Sequence, residues 1–246
     1  MKTALIVLAA ILVTASASYV FLTQNNRSVQ QQMKAEQNRI RIIVENAIEG
    51  QSRQLVDQLS AFTAQIAGAR EFSMKLLVEN NPASPEVSEF AGQYMEPMGL
   101  SMLSILDSSG TILSSGQFPA GAGSPSPMRD LPQGGFVLDT VHGQEVLTLQ
   151  ATKQFAISEV PLFCAGGHIV DRAFLSRLPA GSGVLLVFKC GNKFVSNDSI
   201  RTISDFTDNS IVMNDKKYGA VMIPLRNADP ANPVQLFVLF DAPWRG

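Results

Sequence analysis

Residues Arg27–Asn81 read RSVQQQMKAEQNRIRIIVENAIEGQSRQLVDQLSAFTAQIAGAREFSMKLLVENN, and the fold is decided in this stretch. It contains no proline; the first proline of the chain is Pro82. Apolar residues recur at Ile40, Val44 and Ile48, then at Leu55, Leu59, Phe62, Ile66, Ala69, Phe72 and Leu76. Steps of three and four place them on one stripe of a helix, with Gln, Glu, Arg and Asn on the solvated side. At 1.5 Å per residue such a helix would be roughly 80 Å long, several times the ordinary length in a globular domain. No compact domain covers that length. The first part is therefore expected to be a stalk and the second a spine against which later strands pack. Gly50 and Gly68 are its soft points, each costing about 1 kcal/mol relative to Ala; two ordinary helices with a break near Gly50 are the alternative.

Upstream, Ala4 to Leu22 holds nineteen residues without a charge, between Lys2 and Arg27. That is long enough to span a bilayer core. A first segment this close to the start leaves the remainder outside the cytoplasm. Ala15-Ser16-Ala17 also satisfies the small-x-small pattern of a signal-peptide cleavage site, although Tyr19 to Leu22 continue the apolar run beyond it. Both readings export the rest, and we expect an N-terminal membrane anchor over residues 1–26 with a periplasmic remainder.

The 246 residues allow one large or two small domains, and 46% hydrophobic residues supply a sizeable core. A formal charge of −2 gives no concentrated basic face, so no nucleic-acid partner is expected. Catalysis finds little support: the two histidines, His142 and His168, stand beside glycines in turn-like sequence. Gly181-Ser182-Gly183 is no nucleophile elbow, and no phosphate loop, dinucleotide fingerprint or H-E-x-x-H occurs. No metal or cofactor is expected; His168 lies four residues after Cys164 without further ligands at supporting spacing. In an exported chain Cys164 and Cys190 can persist as a disulfide, tying one strand group to the next, or as two free thiols.

After the spine, Asn80-Asn81-Pro82 stops the helix, and Pro85-Glu86 opens a shorter one (Val87, Phe90, Ala91, Tyr94, Met95) that Pro97 and Gly99 end. The period then changes to that of strands. Leu103–Leu106 and Thr111–Ser114 flank Asp107-Ser108-Ser109-Gly110, a tight hairpin. Pro119 to Gly135, with four prolines and four glycines, reads as a long surface loop. A meander follows: Phe136–Asp139, Glu145–Thr152 across a turn at His142-Gly143, and Phe155–Phe163. Gly166-Gly167 is expected to break the sheet. Asp171 caps a short helix to Leu178, closed by Pro179. A second strand group holds Val184–Phe188, Lys193–Ser196, Tyr218–Leu225 and Gln235–Phe240, with a polar connection containing Asp205 and Asp208 in its middle. The expected class is α+β: a long N-terminal helix packed on antiparallel sheets.

The anchor, the long proline-free helix and the hairpin Leu103–Gly116 together resemble a Cache domain, the extracytoplasmic PAS-like sensory module of bacterial receptors. The run Leu162–Leu178 is similar to the Gly-Gly-x-x-(Leu/Val)-Asp-x-x-Phe-Leu junction of sensor histidine kinase ectodomains, and Tyr218–Leu225 with Val234–Phe240 resembles the last strands of a membrane-proximal module. The resemblance implies a double Cache arrangement, with a single elaborated module as the alternative. Its parts would be an anchor (1–26), a stalk and spine (27–81), a membrane-distal module (82–167) and a smaller proximal module (168–246). It also implies a small-molecule ligand, the membrane and a second copy of the chain as partners, within a sensor histidine kinase or related receptor whose output part lies outside these residues. The Tyr/Arg/Trp/Asp set that marks amino-acid-binding members is not in place, since the only tryptophan is Trp244. An N-terminally anchored interaction protein with a coiled-coil helix is the rival reading.

A PAS-like fold further implies a pocket on the sheet face away from the spine helix, under the loop Gln117–Gly135. Arg129 in that loop would meet an anionic ligand, with Tyr94, Lys153 and Phe163 lining the cavity; a solvated loop charge and ordinary core packing are the plain alternatives for Arg129 and Phe163.

Overall fold

The computed structural model describes residues 2–68, 70–77, 84–126, 130–141, 143–181, 184–199, 203–207, 210–226 and 233–241; of residues 2–30, 33, 70, 71, 77, 204–206 and 241 it describes the backbone alone. Two compact units divide the chain, Met1–Ile43 and Val44–Gly246. Residues 2–43 of the first form the opening part of helix α1 (Lys2–Ala67). Ile42 and Ile43 are exposed there, at 49% and 37%. Among the described residues no helix is long and apolar enough to cross a membrane. The span expected over Ala4–Leu22 lies where side chains are outside the description.

In the second unit α1 buries Val44, Ile48, Leu55, Leu59, Phe62 and Ile66, the stripe expected from the spacing. The helix runs through Gly50 unbroken, because buried anchors on both sides outweigh a glycine's cost of about 1 kcal/mol. The interruption falls instead at Gly68, whose N–H donates to the Gln65 carbonyl (3.3 Å) before α2 (Arg70–Leu77) begins. Two short helices follow, α3 (Pro85–Ser88) and α4 (Phe90–Met95). Phe90 of α4 stacks on Phe72 of α2 at 4.3 Å.

The first sheet comprises β1 (Met102–Asp107), β2 (Ile112–Ser115), β3 (Gly135–Val141), β4 (Gln144–Ile157) and β5 (Val160–Ile169), all antiparallel in the order β2-β1-β5-β4-β3. The β1–β2 hairpin is built as its residues dictate. The Asp107 carboxylate accepts from the Ser109 and Thr111 N–H groups (2.8 and 2.9 Å), and Gly110 takes φ +85°. Helix α5 (Arg172–Ser176) then leads to the second sheet, with Asp171 as N-cap accepting from the Phe174 N–H (2.7 Å). That sheet holds β6 (Val184–Cys190), β7 (Lys193–Ser196), β8 (Ile203–Thr207), β9 (Ser210–Met213), β10 (Lys216–Pro224) and β11 (Val234–Asp241), in the order β7-β6-β11-β10-β9-β8. Both sheets follow one plan: an opening hairpin, the last strand beside the first, and earlier strands outward. The second adds β8 at its edge. The fold is thus α+β, a long helix with two antiparallel sheets.

Three expectations about strands are corrected. Gly166 and Gly167 do not break the sheet; they lie inside β5, paired with Leu103 and Met102 of β1. They are glycines because neighbours come close. A Cβ on Gly166 would stand 2.7 Å from Leu59 Cδ2 of α1, and one on Gly167 would run into the Leu149 carbonyl oxygen. Next, β4 does not turn after Thr152 but continues to Ile157, and the turn falls at Ser158-Glu159, both in the left-handed region (φ 47° and 70°). Neither is a glycine or an asparagine, the residues that take positive φ most readily, which is why the spacing misplaces the turn. Last, the polar connection after β7 contains strands, β8 and β9, and Asn214-Asp215 (φ 51° and 62°) turns β9 into β10. Asp205 lies in β8, and Asp208 falls outside the described residues.

The glycine pair generates a stability test. Gly167→Ala meets backbone and should destabilise the chain by more than about 3 kcal/mol, beyond the usual cost of overpacking. Gly166→Ala meets a rotatable Leu59 terminus and should cost about 1–3 kcal/mol. Urea denaturation should show that order, with Leu59→Ala making Gly166→Ala cheaper.

Candidate functional site

Alternation along the strands sorts the first sheet into two faces. Leu103 and Ile105 of β1, with Cys164 and Gly166 of β5, share the face on which Leu59 of α1 packs. The opposite face takes Met102, Ser104 and Leu106 from β1, Asp139 from β3, Gln150 and Thr152 from β4 and Ala165 from β5. These surround a cavity of about 50 Å³, which Gln117 and Ser126 of the β2–β3 loop also line.

Two polar residues of the cavity wall are buried, Ser104 (9% exposed) and Gln150 (6%), and behind them lie the buried hydroxyls of Ser115 (1%) and Thr148 (0%). Buried polar groups need partners, and these have them. Gln117 bridges two: its Nε2 donates to Ser104 Oγ (3.1 Å) while its Oε1 accepts from the Leu103 N–H (3.0 Å). Ser104 Oγ donates to Ser115 Oγ (3.3 Å). On β4, Gln150 Nε2 donates to Thr148 Oγ1 (2.9 Å) and to Asp139 Oδ2 (2.5 Å), and Thr148 Oγ1 donates to the Val137 carbonyl (3.0 Å). The Leu131 N–H of the loop donates to Thr152 Oγ1 (2.8 Å). Such a network of amide and hydroxyl groups with one carboxylate can exchange hydrogen bonds with a small polar guest. It carries no nucleophile–base pair, and among the described residues no group of three or more His, Cys, Asp or Glu is placed to hold a metal ion.

The corresponding face of the second sheet differs. Val187, Ile211, Met213, Phe237 and Leu239 bury one another there in an apolar cluster, with Leu185 and Tyr218 at its margin. Two wider clefts border the sheets. One of about 490 Å³ runs between α1 (Ile48 to Asp57), residues 132–136 and residues 223–226. The other, about 590 Å³, lies between the β5–α5 connection and the β6–β7 hairpin, where Lys193 and Glu145 pair at 2.6 Å.

Of the four expected ligand residues, the three described are not brought together. Arg129 lies outside the described residues. Tyr94 stands on α4 in an aromatic cluster with Phe62 of α1 (5.2 Å) and Phe90 (5.1 Å), away from the cavity. Lys153 is exposed opposite Cys164, on the spine-helix face. Phe163 shares the cavity's face, opposite Leu106, but does not line it. The residues that do line it carried one sequence signal, the alternation Thr148, Gln150, Thr152 between Leu147, Leu149 and Ala151. That pattern equally describes a solvated strand face.

Cys164 and Cys190 are buried, one in each sheet, and the bridge considered between them is not formed. Burial pushes the Cys164 thiol far above its ordinary value. His168 is a strand residue, opposite Leu149 in β5, and not a turn residue as its neighbouring glycines suggest. His142 lies outside the described residues.

No protein-family model matches the chain, and no curated protein is similar to it in sequence. Solved structures are similar in fold. The sensor domain of the histidine kinase DctB of Vibrio cholerae superposes with a TM-score of 0.51 at 12% identity, over 87% of this chain and 97% of that one. The periplasmic domain of Vibrio cholerae LuxQ gives a TM-score of 0.50 at 12% identity, over 82% of this chain and 97% of that one. The fold is therefore shared with these two domains, as the resemblance to Cache domains implies.

His168 supplies a pH test. Burial, and then the Arg177 charge, hold its imidazole below the ordinary 6.5. The unfolded chain therefore binds this proton more readily, and its contribution to stability is complete above pH 6.5 and lost as pH falls through the depressed folded value. Chemical denaturation at successive pH values should show a shallower acid loss for His168→Gln than for the native chain.

Proposed function

We propose that this chain is the extracytoplasmic ligand-sensing region of a membrane receptor of the sensor histidine kinase type, and that the polar cavity of the first sheet is its ligand site. The observation that carries the reading is the pair of buried polar residues in the cavity wall, Ser104 and Gln150, each hydrogen-bonded to a further buried hydroxyl, Ser115 and Thr148. A core serving stability alone would be apolar there, as the second sheet is on the matching face. The fold shared with the DctB and LuxQ domains supports the sensory role. At about 50 Å³ the cavity has room for a few waters, so a metabolite would enter only as the cavity widens. The membrane-distal module would span residues 82–167 and the proximal one 168–246. Asp139, Gln150, Ser104 and Gln117 would hold the ligand, and Arg129 would join them for an anionic one.

The anchor would be Ala4–Leu22, with residues from Arg27 onward in the periplasm. Self-association would use the part of α1 before Val44. From Val44 on, the stripe is already buried within the chain, whereas Ile42 and Ile43 present exposed apolar surface to a second copy. Reporter fusions after Gly116 and after Gly246 should both register export, and Ile42→Glu with Ile43→Glu should lower the dimer fraction in cross-linking without lowering the melting temperature.

A thermal-shift screen of small carboxylates, amines and polyols tests the site. A ligand at a hundred times its dissociation constant stabilises by about 2.7 kcal/mol. Gln150→Leu should abolish the shift, and Arg129→Ala should abolish it only for anions. A ligand whose stabilisation survives Gln150→Leu binds elsewhere.

A further inference from the structure

The segment Leu131–Phe136 touches three parts of the molecule. At one end it is fastened to the cavity wall: the Leu131 N–H donates to Thr152 Oγ1 (2.8 Å), and the Thr152 N–H returns a bond to the Leu131 carbonyl (3.0 Å). In its middle, Gly134 takes φ +75°, and a Cβ there would stand 3.2 Å from the Ser52 Cβ of α1, so the loop backbone rests directly on the spine helix. At the other end the Phe136 N–H donates to the Arg226 carbonyl (3.0 Å), and Arg226 Nη1 donates to the Gln133 carbonyl (3.2 Å). Arg226 lies two residues beyond β10. The Phe136 ring meets Phe188 of β6 at 5.1 Å.

We propose that Leu131–Phe136 is the coupling element of this sensor, passing a displacement of Thr152 at the polar cavity to Ser52 on the spine helix and to Arg226 on the second sheet. The inference rests on the polar cavity being the ligand site. A glycine backbone seated on the Ser52 Cβ, an atom that no rotamer change moves, cannot absorb a small shift by changing rotamer, and close-packed contacts transmit strain. The segment's short hydrogen bonds bind it to both neighbours as one body. β3 pairs with β4 only as far as Gln150, so at Thr152 the edge of β4 not held by β5 is taken by Leu131 of the segment. The cleft of about 490 Å³ beside the segment leaves α1 and the second sheet room to change separation. A ligand drives the change only by its difference in affinity between the two arrangements.

Hydrogen exchange on the full chain, in lipid nanodiscs and without ligand, tests this. Thr152→Val removes the acceptor for the Leu131 N–H while keeping its shape, and Gly134→Ala crowds Ser52. Gly143→Ala is the control: its φ is +76° and nothing lies within 4 Å, so it carries the same backbone strain in the same sheet without touching the segment. The first two variants should speed exchange of the Phe136 amide and of β10 about tenfold, the equivalent of about 1.4 kcal/mol; Gly143→Ala should affect only the amides next to the β3–β4 turn and leave Phe136 and β10 at the native rate. Native-rate exchange in β10 for Thr152→Val and Gly134→Ala would overturn the coupling, as would equal acceleration by Gly143→Ala. A compound from the thermal screen that protects the Thr152 amide but leaves Phe136 and β10 unchanged would also overturn it, with the ligand site left standing. Failure of the ligand site itself is read separately, from stabilisation that persists in Gln150→Leu.

Discussion

The close approach of α1 to the first sheet is the constraint on which the rest depends. Leu59 sits where β5 has only Gly166 to offer, and the neighbouring strand crowds Gly167 from β4. With that seat occupied by a helix, the sheet has one apolar face already covered, and its other face is released from the task of forming the core. Polar residues can be buried on that second face because stability is secured on the first. This is the physical condition for a binding cavity in so small a domain: hydrophobic burial on one side of a sheet, and satisfied hydrogen bonds on the other.

The same strand plan used twice shows that architecture does not determine what a face is for. Both sheets place the last strand beside the first and leave one face away from the helix. In the first sheet that face carries amides, hydroxyls and a carboxylate; in the second it carries Val187, Ile211, Met213, Phe237 and Leu239. Packing fills the second, and a small void remains in the first. Function therefore has to be argued from the side chains of one face, not from the fold that presents them.

Much of the fold was legible in the sequence, because its signals were local. The period of the spine, the Asp107–Gly110 hairpin and the Asp171 cap each depend on residues within a few positions of one another. What was misread depended on distant partners. Gly166-Gly167 looks like a break in sequence, and only the position of Leu59, more than a hundred residues earlier, makes it a landing place. Ser158-Glu159 turns the chain without a glycine or asparagine because two long paired strands hold the ends together. The site residues fared likewise. Thr148, Gln150 and Thr152 alternate as a wet face would, and what separates a cavity floor from a solvated face is the cover above it, which no local pattern encodes.

Cys164 and Cys190 have a consequence of their own. One thiol is buried in each sheet, and neither is reachable while the packing around it is closed. A thiol-reactive reagent would therefore modify each only during opening of the packing that covers it, at a rate set by that local equilibrium. The chain thus carries two native clocks, one per sheet, whose labelling rates can be read by mass without introducing any probe. Whether the sheets open together or separately then becomes a matter of comparing two numbers from one sample.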